Sequence, residues 1–158
     1  MKIRVVQVGK TKKQEIHDMV EEFLKRLRPF AKIEIIVIQP SPPSKTVTKE
    51  KCSEEEGARI LKQLNGFALN GFTVAMDERG KEMTSYEFAD FLNKFRSSGE
   101  TLTFVIGGAY GLSENVKAHT DAILSLSKMT FTHEMVRAFL VEQIYRGFCI
   151  LHKKEYHN

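Results

Sequence analysis

The stretch Leu102-Thr103-Phe104-Val105-Ile106-Gly107-Gly108-Ala109-Tyr110-Gly111-Leu112 decides how this chain folds. Its first five residues suit a buried strand, which runs without a polar break into Gly107 and Gly108. Ser113 follows, a residue type that caps helices by accepting a backbone N–H. Strand, glycine turn and helix in immediate succession are the unit of an α/β fold. In open sheets of that class, ligands bind outside the carboxyl ends of the strands. The glycines here can let backbone approach a ligand, and they serve equally well for a tight strand-to-helix turn. The spacing is not G-x-G-x-x-G, and no G-x-x-x-x-G-K-[ST] occurs in the chain. The dinucleotide and nucleoside triphosphate readings lose their main support.

The same alternation extends outward on both sides. Upstream, Ile3 to Val8 reads as a strand. Ile16, Met19, Val20, Phe23, Leu24 and Leu27 then recur with helical spacing. Ile33 to Ile38 is a second strand, apolar enough to be buried on both faces. Pro40, Pro42 and Pro43 make Gln39 to Thr48 an extended connection. Glu50 to Leu64 is a helix with an acidic start, which suits the helix dipole. Phe72 to Met76 is a third strand, ending at the polar run Asp77 to Lys81. Thr84 and Glu87 have the spacing of a capping box. Downstream, Ala122 to Leu126 is a fifth strand, and Thr132 can cap a last long helix. The expectation is one α/β domain over residues 1–158 with a mostly parallel sheet flanked by helices. Three strand ends are candidate ligand positions: Met76-Asp77, Ile106-Gly107-Gly108, and Leu126 to Met129.

Composition narrows the function classes. The 158 residues are 42% hydrophobic and 28% charged, with 10 Gly and 4 Pro, which is a globular balance. The net charge of +4 is compatible with an anionic partner but far below that of a histone-like polycation. Residues 1–32 hold nine Lys and Arg against four Asp and Glu, so the whole excess lies there. It reads either as a solvated helix face or as an entry surface for a phosphate backbone. Two distant cysteines, Cys52 and Cys149, make no disulfide framework. No run approaches the ~18 apolar residues of a membrane span, and Met1 leads straight into a strand-like run rather than a signal pattern. The expected location is the cytoplasm.

One further segment stands out. Ser125 to His133 joins the fifth strand to the last helix and is dense in hydroxyls. His133 falls in that helix's first turn, where the positive dipole end disfavours imidazolium. A neutral imidazole could accept a proton, although a surface His beside a cap would look the same. Cys149, His152 and His157 lack the ligand spacing of a zinc site, so no metal is expected.

Taken in order, GGAYGL (Gly107–Leu112), LSLSKMTFTH (Leu124–His133), MVR (Met135–Arg137), EQIYR (Glu142–Arg146) and EYH (Glu155–His157) resemble the RlmH family. These are the large-subunit rRNA pseudouridine N3-methyltransferases of the SPOUT superfamily. The resemblance runs end to end, from VGK at Val8–Lys10 through EEEGARIL at Glu54–Leu61. It implies a C-terminal deep trefoil knot, which no periodicity would suggest, since knots are rare. It also implies that the knot forms a pocket for S-adenosyl-L-methionine. The cofactor-binding residues would be Met76, Gly107 with Gly108, and the run Leu126, Ser127, Lys128, Met129, Thr130 and Phe131. The family is a homodimer in which the partner's C-terminal tail completes each active site.

By the same resemblance the substrate is helix 69 of the 23S rRNA in the assembled ribosome, where a loop exposes unstacked bases. The pseudouridine N3–H must lose its proton. His133 or His157 would accept or relay it, and Arg137 or Tyr156 would orient the base or stabilise its developing charge. Lys10, Lys12, Lys13, Arg26 and Arg28 are candidate phosphate contacts. The chain departs from the family at Thr132, where Pro is usual, and at Met76, where Leu is common. Two other readings stay open: a SPOUT methyltransferase acting on tRNA, and a non-enzymatic ribosome-associated module.

Overall fold

A computed structural model describes residues 1–42, 44, 47–67 and 71–156. In chain order the elements are β1 (Lys2–Val8), α1 (Gln14–Leu27), β2 (Lys32–Ile38), α2 (Lys49–Asn65), β3 (Gly71–Glu82), α3 (Ser85–Ser98), β4 (Thr101–Ile106), α4 (Glu114–Ala118), β5 (Ala122–Ser125) and α5 (His133–Leu151). All four strand pairings are parallel, in the order β2-β1-β4-β3-β5.

Alternation along the central strands sends side chains to two separate cores. Ile3, Val5, Val74, Met76, Leu102, Phe104 and Ile106 face one side, with Leu27, Phe88, Leu92, Leu140 and Phe148. Those partners come from α1, α3 and α5. Val6, Val8, Ala75 and Val105 face the other side, with Ile60 of α2 and Val116 of α4. Steps toward the β2 edge (β1 to β2, β3 to β4) carry their helices on the first face. Steps toward the β5 edge carry theirs on the second. One hand of crossover therefore serves all four connections, as a twisted parallel sheet requires.

Local chemistry sets the helix ends. Thr84 Oγ1 accepts from the Glu87 N–H at 3.2 Å, and the Glu87 carboxylate accepts from the Thr84 N–H at 2.7 Å. Both halves of the capping box are thus made. Gly99 closes α3 at φ +76°, a conformation that favours glycine. Ser113 and Thr132 cap α4 and α5 by accepting from Val116 and Met135.

Two expectations change. The expected two-faced burial of β2 fails, because β2 is the sheet edge; only Ile38 is buried, and Val37 is 44% exposed. Its apolar run covers a rim instead of a centre. β3 does not stop at Met76 either. Leu124 is in register with both Met76 and Lys81, so residues 77–80 leave the ladder and β3 resumes at Lys81–Glu82. A Cβ on Gly80 would lie 2.7 Å from the Ile123 and Leu124 carbonyl carbons. Only glycine allows that approach, and the polar residues Lys81 and Glu82 pair with β5 beyond the end of the β3–β4 ladder, outside the core.

Candidate active site

The carboxyl ends of β4, β3 and β5 lie side by side, and a cavity of about 420 Å³ opens there. That volume is within the range of small-molecule sites. Met76, Ile106, Leu124, Leu126 and Val136 give it apolar walls. Asp77 and Glu78, from the looped-out part of β3, stand at its rim, and His133 closes the side formed by α5.

The glycine turn is shaped by packing. A Cβ on Gly107 would come within 2.5 Å of the Gly111 carbonyl carbon. One on Gly108 would meet the buried Glu56 carboxylate at 2.7 Å. Gly111 has φ +76°, which makes the turn possible. The loop therefore presents backbone, not side chains, to the cavity.

The hydroxyls of the following segment fold it. Ser125 Oγ donates to the Ser127 carbonyl at 2.7 Å and accepts from the Ser127 N–H at 3.1 Å. Ser127 Oγ accepts from the Met129 N–H at 3.0 Å. Thr130 Oγ1 donates to the Glu78 carboxylate, which ties the segment to β3. Short polar side chains replace the ladder that this stretch of backbone lacks. Thr132 has φ −64°, the value a proline ring would impose, so its backbone already matches the residue usual in the resembled family.

Asp77 is anionic. Burial pushes its carboxyl up, but hydrogen bonds from the Arg79 N–H and side chain and from the Lys117 ammonium hold it down at about 2. Lys117, itself buried, donates to Asp77 at 3.1 Å and to Glu114 at 2.6 Å. His133 is shifted below its ordinary value by partial burial first and by the Arg137 charge second. Both effects favour the neutral imidazole, the form able to accept a proton. Apolar walls, backbone at the glycine turn and an anionic rim fit a small molecule that is part apolar and part cationic.

The cavity gathers Met76, Gly107, Gly108, Leu126, Ser127, Met129, Thr130, Phe131 and His133 of the expected residues. Lys128 is not in its lining, and its ammonium lies 4.0 Å from Glu82. Arg137 is 2% exposed and donates to the Thr11 hydroxyl and the Val8 carbonyl, away from the cavity. Tyr156 donates to Glu142 at 3.2 Å, at the midpoint of α5. His157 lies outside the described residues. Sequence reasoning places Asp77 only at a strand end and gives Glu78 no role, although a polar pair straight after a buried strand is a usable signal. The basic cluster divides too. Lys10, Lys12 and Lys13 precede α1, whereas Arg26 and Arg28 sit at its other end, about 20 Å away. Arg26 is engaged by Glu22 at 2.8 Å. Among the described residues no group of three or more His, Cys, Asp or Glu could hold a metal, and no helix is long and apolar enough to cross a membrane.

Comparison with known proteins gives a consistent picture. The profile of a family described as "Predicted SPOUT methyltransferase" matches residues 1–157. A Trichlorobacter lovleyi protein is 43% identical over 159 residues, covering 100% of both chains. One from Halothermothrix orenii is 41% identical over 161 residues, and one from Clostridium botulinum 39% over 161, each covering 99% of both chains. All three bear the name ribosomal RNA large subunit methyltransferase H.

Proposed function

The chain belongs to the SPOUT methyltransferase family, and from that premise we propose that it methylates large-subunit ribosomal RNA, at N3 of a pseudouridine in helix 69 of the assembled ribosome. The observation that carries this reading is the cavity at three adjacent strand ends with His133 in its wall. S-adenosyl-L-methionine, when bound, supplies an activated methyl on a positively charged sulfur. Met76, Leu126 and Met129 would enclose its apolar parts, and the backbone at Gly107 and Gly108 would offer hydrogen bonds. Asp77 and Glu78 would favour its positive charge. The segment 126–131, threaded past β3 as a deep trefoil knot within a single domain, would hold the pocket open. The double register of Leu124 and the close passage at Gly80 support that threading.

His133 would take the N3 proton as the base is brought in line with the methyl. Tyr156 and His157 would serve the same reaction from a second copy of the chain, in a homodimer. The Tyr156 ring packs on Tyr145, twelve residues beyond His133, which is about 18 Å along a helix. That separation within one chain favours a contribution from the second chain. Lys10, Lys12 and Lys13 are exposed on the loop beside His133 and would contact phosphate.

Incubation with labelled S-adenosyl-L-methionine and either ribosomes or tRNA tests the proposal. Labelled ribosomes and unlabelled tRNA are expected. Label in tRNA alone, or no cofactor binding by calorimetry, would overturn it.

A further inference from the structure

Neither Glu134 nor Arg137 lines the cavity, yet both are buried in the first two turns of α5, close to His133 in sequence. The side-chain hydrogen bonds they make all go to one loop. The Glu134 carboxylate accepts from the Lys12 N–H and the Lys13 N–H, one on each oxygen, both at 3.2 Å. Arg137 donates to Thr11 Oγ1 at 2.9 Å and to the Val8 carbonyl at 2.5 Å. Residues 8–13 therefore have four fastenings to a helix more than 120 positions away in sequence. The loop would otherwise be a weakly determined polar segment between β1 and α1.

The fastened backbone carries three outward cations. Lys10, Lys12 and Lys13 are exposed, and no ion pair among the described residues engages their ammonium groups. A flexible loop would lose entropy on meeting phosphate, whereas a pinned one arrives already ordered. We infer that Glu134 and Arg137 are positioning residues, which hold the Lys10–Lys13 loop in register with the His133 side of the cavity so that it grips the phosphates flanking the target base. This inference rests on the proposed action on ribosomal RNA. It also gives a buried, charged Arg137 a role that needs no contact with the base.

Charge alone makes the opposite prediction. Removing an acid beside an RNA surface should tighten binding; releasing the loop should weaken it. The test is binding of the full chain to ribosomes lacking this methyl, over a salt series. The variants are Glu134→Ala, Glu134→Gln, the charge-matched exposed control Glu15→Ala, Lys12→Gln with Lys13→Gln, and Glu134→Ala combined with that pair.

Glu134→Ala is expected to bind about tenfold more weakly, with the log–log salt slope reduced by about 0.7–0.9 for each phosphate the loop no longer grips. Glu134→Gln, which keeps one acceptor oxygen, should fall between it and wild type. Glu15→Ala should bind as well as wild type or better. Adding Glu134→Ala to the lysine pair should cost little more, because the lysines it positions are already absent. Affinity for S-adenosyl-L-methionine by calorimetry should stay unchanged, which separates loop release from general unfolding. If wild type binds ribosomes and Glu134→Ala binds equally or tighter with the same slope, the positioning role is wrong and the proposed substrate stands. If wild type binds no ribosome at any salt concentration, both readings fall together.

Discussion

The Tyr156 ring packs edge-on against Tyr145, centroids 4.8 Å apart with planes at 72°. Arg146 lies over the same ring at 4.8 Å, and the Tyr156 hydroxyl donates to Glu142. The C-terminal segment is thus docked along α5 from its midpoint outward, away from its own cavity, and in the proposed dimer the two ends of one helix would serve two different sites.

That arrangement predicts complementation. In a dimer with two shared sites, chains carrying His133→Ala and chains carrying Tyr156→Ala should each be impaired alone. Randomly mixed after refolding, they should recover about a quarter of wild-type activity, since half the dimers are mixed and each has one intact site. No recovery in a mixture shown to contain mixed dimers would place both residues in one chain's site.

His133 should titrate below the ordinary histidine value, because burial and the Arg137 charge both disfavour its imidazolium. The acid limb of the rate profile should then fall below pH 6.5. Removing the positive charge with Arg137→Met should move the NMR midpoint of His133 upward. A midpoint at or above 6.5 in wild type, or an unmoved one in the variant, would contradict this assignment.

Asp77 links stability to acid. Its folded value of about 2 lies below the ordinary 3.8. The stabilisation is therefore fully present above pH 4 and is lost as pH falls through about 2. Asp77→Asn should lose about 2 kcal/mol at pH 7 in urea unfolding, with the difference closing as pH falls through about 2. Equal stabilities at pH 7 would show that the Lys117 and Arg79 bonds contribute nothing net.

Gly80→Ala should cost about 1–3 kcal/mol, because the new methyl meets β5 backbone and no flexible side chain can yield. Urea unfolding measures it. A loss under about 0.5 kcal/mol would mean that the passage between β3 and β5 is looser than the structure has it.

Much of the fold is legible in the chain. Apolar runs locate the five strands, periodicity and cap residues locate the helices, and the Thr84–Glu87 pair announces a capping box that forms. The strand ends at Met76, Ile106 and Leu126 point to the cavity, since parallel sheets leave their carboxyl ends open. What stays hidden depends on distant partners. The run Ile33–Ile38 has the composition of a central strand, and only sheet order makes it an edge. Polar Lys81 and Glu82 join β3 because β5 happens to pass there. Arg137 looks suited to hold a base. Its burial beneath the 8–13 loop follows from a hydrogen bond to a residue 129 positions away, which local pattern cannot encode. Tyr156 stands close to the other motifs in sequence, yet α5 carries it away from them in space.

Methyl transfer to large-subunit ribosomal RNA is the activity on which the proposed site roles rest. Ribosomes from a strain lacking this gene, incubated with the protein and labelled S-adenosyl-L-methionine, can be digested and mapped by mass spectrometry. A single added methyl on N3 of a pseudouridine in helix 69 is expected, absent when the protein is omitted. A methyl elsewhere, or none on the ribosome while tRNA becomes labelled, would contradict the assignment.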